Sequence, residues 1–157
     1  MTPAEQAFLE RARVAALATV DGEGRPHAVP ICFALLAADE TTAARANSDR
    51  EDATAERTIV SAIDEKPKAT RELKRVRNIR TNPRVTVLVD RYREDWSRLA
   101  WVQVRGRARI LEPGKSGHDT AIGALEAKYD QYADHDLEDR SVIAIREGLT
   151  VSWGALE

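Results

Sequence analysis

The chain has 157 residues, of which 43% are hydrophobic and 32% charged, and its formal net charge is −2. That balance reads as one soluble globular domain, 1–157, long enough to bury a core. No apolar run reaches the roughly 20 residues that a membrane-spanning helix needs, and the lone cysteine, Cys32, rules out an internal disulfide and suits a reducing cytoplasm.

In chain order, Thr2-Pro3-Ala4-Glu5 combines a cap residue, a proline at the first helical position and an acid in the first turn. A helix is expected from there to about Arg11. The same stretch lacks a basic start followed by an apolar run, so no secretory leader is expected. Val14–Val20 and Arg25–Leu36 are apolar runs joined by Asp21-Gly22-Glu23-Gly24, the pattern of a β-hairpin. On the second run His27, Val29, Ile31, Phe33 and Leu35 share one face. Pro26 and Pro30 cannot donate to a ladder, so part of that strand must be an edge or a bulge. Cys32 lies inside this apolar run and reads as a buried packing residue.

Residues 37–57 are polar, alanine-rich and without a period, which predicts a long inserted loop. Thr58–Ile63 reads as a short strand, and Arg84–Tyr92 as a β-branched one. A loop carrying Trp96 leads into Leu99–Leu111. There Gln103, Arg105, Arg107 and Arg109 alternate with Val102, Val104, Ala108 and Ile110, giving one wet face and one buried face. Gly106 marks a bulge or a close approach. Beyond Pro113-Gly114, His118–Tyr132 is helical, with Ile122, Leu125 and Tyr129 spaced for packing. Ser141–Ile145 and Leu149–Leu156 read as a last strand pair turning at Glu147-Gly148. Six or seven strands, about three helices and no βαβ rhythm favour an antiparallel barrel with peripheral helices.

Between Thr58–Ile63 and Arg84–Tyr92 lies the densest positive charge of the chain. Lys66 to Arg80 reads KPKATRELKRVRNIR, seven Lys or Arg against one acid. At about 100° per residue, Arg71, Lys74, Arg75 and Asn78 fall on one helix face, with Leu73, Val76 and Ile79 roughly opposite. Asn82-Pro83 ends this helix. An acidic chain that gathers its cations in one stretch has an anion to hold there; the bland alternative is a solvated face.

Catalytic signatures are missing. His27, His118 and His135 stand far apart without metal-ligand spacing, so no metal is expected. There is no nucleophile elbow and no phosphate loop, and the DGEG turn is a hairpin connection. Glu94-Asp95 reads as a solvated pair. An anion clamp without an acid, base or nucleophile fits two uses. One is nucleic-acid binding, with Trp96 and Trp101 available to stack bases. The other is a phosphorylated cofactor that brings its own reactivity. The net negative charge weighs against nucleic acid.

LATVDGEGRPHAVPICF, then LKRVRNIRTNPRVTVLVDRY, then EDWSRLAWVQVRGRARI, with AKYDQY and a closing VSWG, resembles the pyridoxamine 5′-phosphate oxidase-like split β-barrels. The resemblance is strongest to the branch of F420-dependent (deazaflavin) oxidoreductases and covers nearly the whole chain. It implies a mainly β fold, an antiparallel six-stranded split β-barrel, and a homodimer with cofactor clefts at the subunit interface. It also implies cofactor phosphate binding at the strand-to-helix junction. The matching positions here are Arg75, Lys74 beside it and Asn78 one turn on, with Lys66 and Lys68 as further cations and Ser61 as a hydroxyl donor. His27, Val29 and Pro30 correspond to the strand that runs along the ring, with a core or interface position the alternative for His27, and Trp96 to a loop near the partner's cofactor, either as cofactor wall or as dimer packing. The implied function is hydride transfer between coenzyme F420 and a small organic substrate. FMN in the same clamp, or a carrier of flavin or tetrapyrrole without catalysis, is the alternative. Longer relatives carry a C-terminal arginine and tryptophan segment for pyridoxal phosphate; none follows Glu157 in this sequence, so pyridoxamine phosphate oxidation is not expected.

Overall fold

The computed structural model describes residues 1–36, 57–63 and 72–157. The expected loop, apart from Arg57, and the expectations for Lys66, Lys68 and Arg71 lie outside the described residues.

Helix α1 spans Pro3–Arg11, and a capping box starts it. The Glu5 amide donates to Thr2 Oγ1 at 3.2 Å, and the Thr2 amide donates to the Glu5 carboxylate at 2.6 Å. Seven strands follow: β1 Ala15–Val20, β2 Pro26–Ile31, β3 Ala34–Leu36, β4 Thr58–Ala62, β5 Arg84–Arg91, β6 Ala100–Leu111 and β7 Val142–Gly154. They form one sheet in the order β2-β1-β5-β6-β7-β4-β3, antiparallel at every pairing. Strands β2 and β3 are consecutive in the chain yet stand at opposite edges of the sheet. The step at Cys32-Phe33 joins those edges, so the sheet curls on itself. This is the split-barrel architecture, with seven strands, within the six or seven expected from the pattern and one more than the resemblance implies.

Two expectations change. Arg25–Leu36 is not one strand: β2 runs on through Pro30 to Ile31, and the ladder breaks at Cys32-Phe33, where the Phe33 backbone is taken by Tyr129 instead. The Phe33 amide donates to the Tyr129 hydroxyl at 2.9 Å, and that hydroxyl lies 2.9 and 2.8 Å from the Phe33 and Arg13 carbonyl oxygens. Burial pushes the phenol pKa up, which keeps its proton available. The last two predicted strands are one, β7, which passes through Glu147-Gly148 without turning. Arg105 pairs with Leu149 and Gly106 with Glu147, so Gly148 is the extra residue of a bulge. Gly106 is required there, since a Cβ would collide with the Arg146 carbonyl oxygen.

The barrel interior is filled by Leu17, Phe33, Ile59, Val87, Val102, Val104, Ile143 and Ile145, with Phe8 and Leu9 of α1 as a plug. A second cluster packs Val60, Ala62, Val142 and Ala144 under helix α3, His118–Lys128, through Ala121, Ile122 and Leu125. That helix is shorter than predicted and passes into 3-10 turns at Asp130–Asp134. Helix α2, Lys74–Thr81, runs between β4 and β5 in the sequence and contacts β1 and β6.

Candidate anion site

Three segments converge on a cavity of about 190 Å³. Pro30, Ile31 and Cys32 come from the end of β2 and the step to β3, Ser61 and Ala62 from the end of β4, and Arg75 from the first turn of α2. Val14 and Tyr132 complete the wall. Pairing of β4 with β7 over Ala62–Val142 holds Ser61 in place, 2% exposed.

Arg75 is what distinguishes this cavity. Its Nε is buried and has no hydrogen-bond partner, the only such side-chain nitrogen or oxygen among the described residues. A buried donor on a charged group, left unmatched, costs more than a neutral one. Arg75 itself lines the cavity, so its guanidinium is the cation that an anion entering there would meet. The backbone adds to this. Leu73 occupies the N-cap position of α2 with no side-chain oxygen to offer, and its carbonyl takes the Val76 and Arg77 amides, so the Lys74 and Arg75 amides lack a cap of the kind Thr2 gives α1. Positive potential from those amides adds to the guanidinium.

The remaining sequence-predicted residues divide. Of Lys74, Arg75 and Asn78, which were expected to act together, only Arg75 lines the cavity. Lys74 is exposed, whereas Asn78 is 4% exposed and donates its Nδ2 to Thr19 Oγ1 at 3.0 Å. The buried side of α2 thus takes in Asn78 together with Val76 and Ile79, because Thr19 supplies a partner inside the barrel. His27 and Val29 are half-buried on β2, opposite Thr19 and Leu17. Pro30 lies on the other face of the strand and reaches the cavity. Trp96 is 71% exposed in a short 3-10 turn, away from the cavity wall.

Val14, Ile31, Cys32, Ala62 and Tyr132 were not singled out as site residues by sequence. Cys32 is half-buried on the cavity wall and packs against the cluster under α3. Just behind it, the Lys128 ammonium sits 4.0 Å above the Phe33 ring. Burial, then the nearby Arg13 charge, push the Lys128 pKa down to about 8.

Beyond Pro30 the outer face of the sheet is apolar. Pro30 pairs with Ala16, Ala16 with Leu88, Leu88 with Gln103 and Gln103 with Val151. Trp101 and Trp153 pair in a neighbouring row. Leu88, Leu149, Val151 and Trp153 are 37 to 55% exposed, an apolar patch of the kind that marks an interface.

A family model described as pyridoxamine 5′-phosphate oxidase matches residues 1–149. Among solved structures, the conserved hypothetical protein Rv2991 from Mycobacterium tuberculosis is 22% identical with a TM-score of 0.66, over 98% of this chain and 85% of that one. A FAD-binding protein from Mesorhizobium loti is 23% identical with a TM-score of 0.59, over 97% and 94%. HutZ, the heme storage protein from Vibrio cholerae, is 15% identical with a TM-score of 0.62, over 97% and 92%. At these identities the likeness is one of fold. No curated protein matches the chain.

Proposed function

The chain belongs to the pyridoxamine 5′-phosphate oxidase family, and from that premise we propose that it is an oxidoreductase working with a phosphorylated flavin-type cofactor, coenzyme F420 before FMN. The observation that carries this reading is Arg75, whose Nε is buried without a partner and whose side chain lines a cavity of about 190 Å³. In this reading Arg75 and the first-turn amides of α2 bind the phosphate, and Ser61 offers a hydroxyl. When bound, the ring supplies the chemistry, exchanging a hydride with a small organic substrate. The protein's part is to hold, orient and exclude water; no side chain is assigned as acid or base.

A cavity of about 190 Å³ is smaller than the roughly 300–1,000 Å³ that encloses a whole ligand. The ring must therefore lie outside it, past Pro30 and Val14, against the apolar face. A second copy of the chain on that face would cover Leu88, Val151 and Trp153 and supply the missing wall, which favours the homodimer. Reversing the character of the face tests this: Trp153→Glu is expected to convert a dimer to monomers in sedimentation and to weaken cofactor binding with it. F420 is preferred because its longer acidic tail would gain from further cations, for which Lys66 and Lys68 are candidates. The FAD-binding neighbour supports FMN as the second reading, and the heme storage neighbour a carrier role.

Titration with F420, FMN and haem, in wild type and Arg75→Ala, separates these readings. Binding of F420 that Arg75→Ala weakens at least about tenfold, with F420-dependent turnover of an enone, is the expected result. Haem binding alone, or cofactor binding indifferent to Arg75, would overturn it.

A further inference from the structure

A band of arginines crosses the outer face of the sheet beyond its apolar part. Arg105, Arg107 and Arg109 alternate along β6 and are exposed. Arg84 on β5 and Arg146 on β7 stand directly opposite Arg107, so one row across three strands carries three arginines. Like charges opposite one another in a sheet weaken it. Elsewhere the chain pairs such groups: Arg25 with Asp21 and Glu23, and Arg80 with Glu72 and Glu112. Among the described residues, Arg84, Arg105, Arg107 and Arg109 meet no carboxylate; Arg105 donates only to the Gln103 amide oxygen, at 3.0 Å. A chain of net charge −2 thus keeps uncompensated cations on one rigid surface.

Spacing identifies what would fit. Outward side chains along a strand repeat about every 6.6 Å. An extended peptide lying along β6 has the same two-residue repeat, so a carboxylate on every second residue meets Arg105, Arg107 and Arg109 in turn. Each guanidinium fork can take a carboxylate through two hydrogen bonds. A nucleic acid fits less well. Within the band the cross-strand neighbours are Thr86, Ala144 and Leu149, which give bases no ring to stack on; the Trp101–Trp153 pair stands further along the strands.

We propose that this band docks an extended acidic segment of a partner protein, with carboxylates on alternate residues. The surface is separate from the Arg75 cavity, so each can fail without the other.

The test uses the full chain and three labelled probes followed by fluorescence anisotropy: a short peptide alternating Glu with Thr, a peptide of equal composition with its Glu in one block, and a thymidine oligonucleotide. The alternating peptide is expected to bind, to weaken steeply with salt, and to lose at least about tenfold in affinity in Arg107→Glu. It should bind several-fold tighter than the block peptide. Equal binding of the two peptides, tighter binding of the oligonucleotide, indifference to Arg107→Glu, or no binding at all would overturn the proposal. Melting of Arg107→Gln checks for a structural role. Relief of the repulsion should leave the melting temperature unchanged or raise it by about 1–3 °C, and a clear fall would count against docking. Retained binding of FMN or F420 by Arg107→Glu would show that the cavity is intact.

Discussion

Around Glu5 and Glu147 the buried polar groups are matched in full, whereas beside Arg75 one is not. Glu147 takes the Met1 ammonium at 2.8 Å, the Thr150 hydroxyl and the Arg57 amide. Glu5 takes the Thr2 amide and the Ser152 hydroxyl. Burial pulls both carboxyl pKa values upward, but these donors outweigh it and hold both below the ordinary carboxylate range. Such fully bonded carboxylates tie α1 and β7 together and have no capacity left for a ligand. The cavity has the opposite property: its cation is in place and its acceptor must come from outside. The contrast separates scaffold from site without any appeal to shape.

The comparison can be broken at its closed end first. Glu147→Ala removes one partner of a buried ion pair and strands the Met1 ammonium, so a loss of about 2–4 kcal/mol is expected, readable in urea unfolding. Because the folded carboxyls sit below their unfolded value of 4.5, their stabilisation is complete above it and drains away as pH falls through the lowered values. The variant should therefore show a flatter acid limb in a plot of stability against pH.

Arg75→Ala probes the open end and should behave in reverse. Affinity for a phosphorylated cofactor is expected to fall about 10- to 100-fold, while the melting temperature holds or rises, since an unmatched donor is removed. Asn78→Ala lies between them. It leaves the Thr19 hydroxyl without its 3.0 Å partner, and a loss of about 1–2 kcal/mol should appear in unfolding. Any change in cofactor affinity should be small, because Asn78 points into the barrel and not into the cavity. The last effect, confined to alkaline pH, belongs to Lys128. Its pKa of about 8 lies below the unfolded 10.5, so the unfolded chain binds more protons between those values and stability rises with pH across that window. Lys128→Met should remove that rise, which unfolding at a series of pH values would reveal.

Much of the fold was legible because local signals agree with the tertiary result. Thr2, Pro3 and Glu5 fix the start of α1, and the alternation along β6 fixes which side is wet. The break at Cys32-Phe33 was not legible, since it depends on the Tyr129 hydroxyl arriving from 96 residues away. Nor was the continuity of β7, where Glu147-Gly148 has the composition of a turn and acts as a bulge only because Gly106 lies opposite. At the site, Arg75 could be read from the basic run before Asn82-Pro83. A helical wheel put Asn78 beside it, but a wheel cannot know that Thr19 takes up its amide. Cys32 and Tyr132 reach the cavity through the curl of the sheet, which no window of sequence contains.

The central claim is that Arg75 grips a phosphate, and the affinity difference between FMN and riboflavin measures that grip alone, because the two share everything else. Wild type is expected to favour FMN by at least about tenfold, and Arg75→Ala to bind the two nearly equally. Equal affinities in wild type, or an FMN preference that survives in Arg75→Ala, would contradict the account.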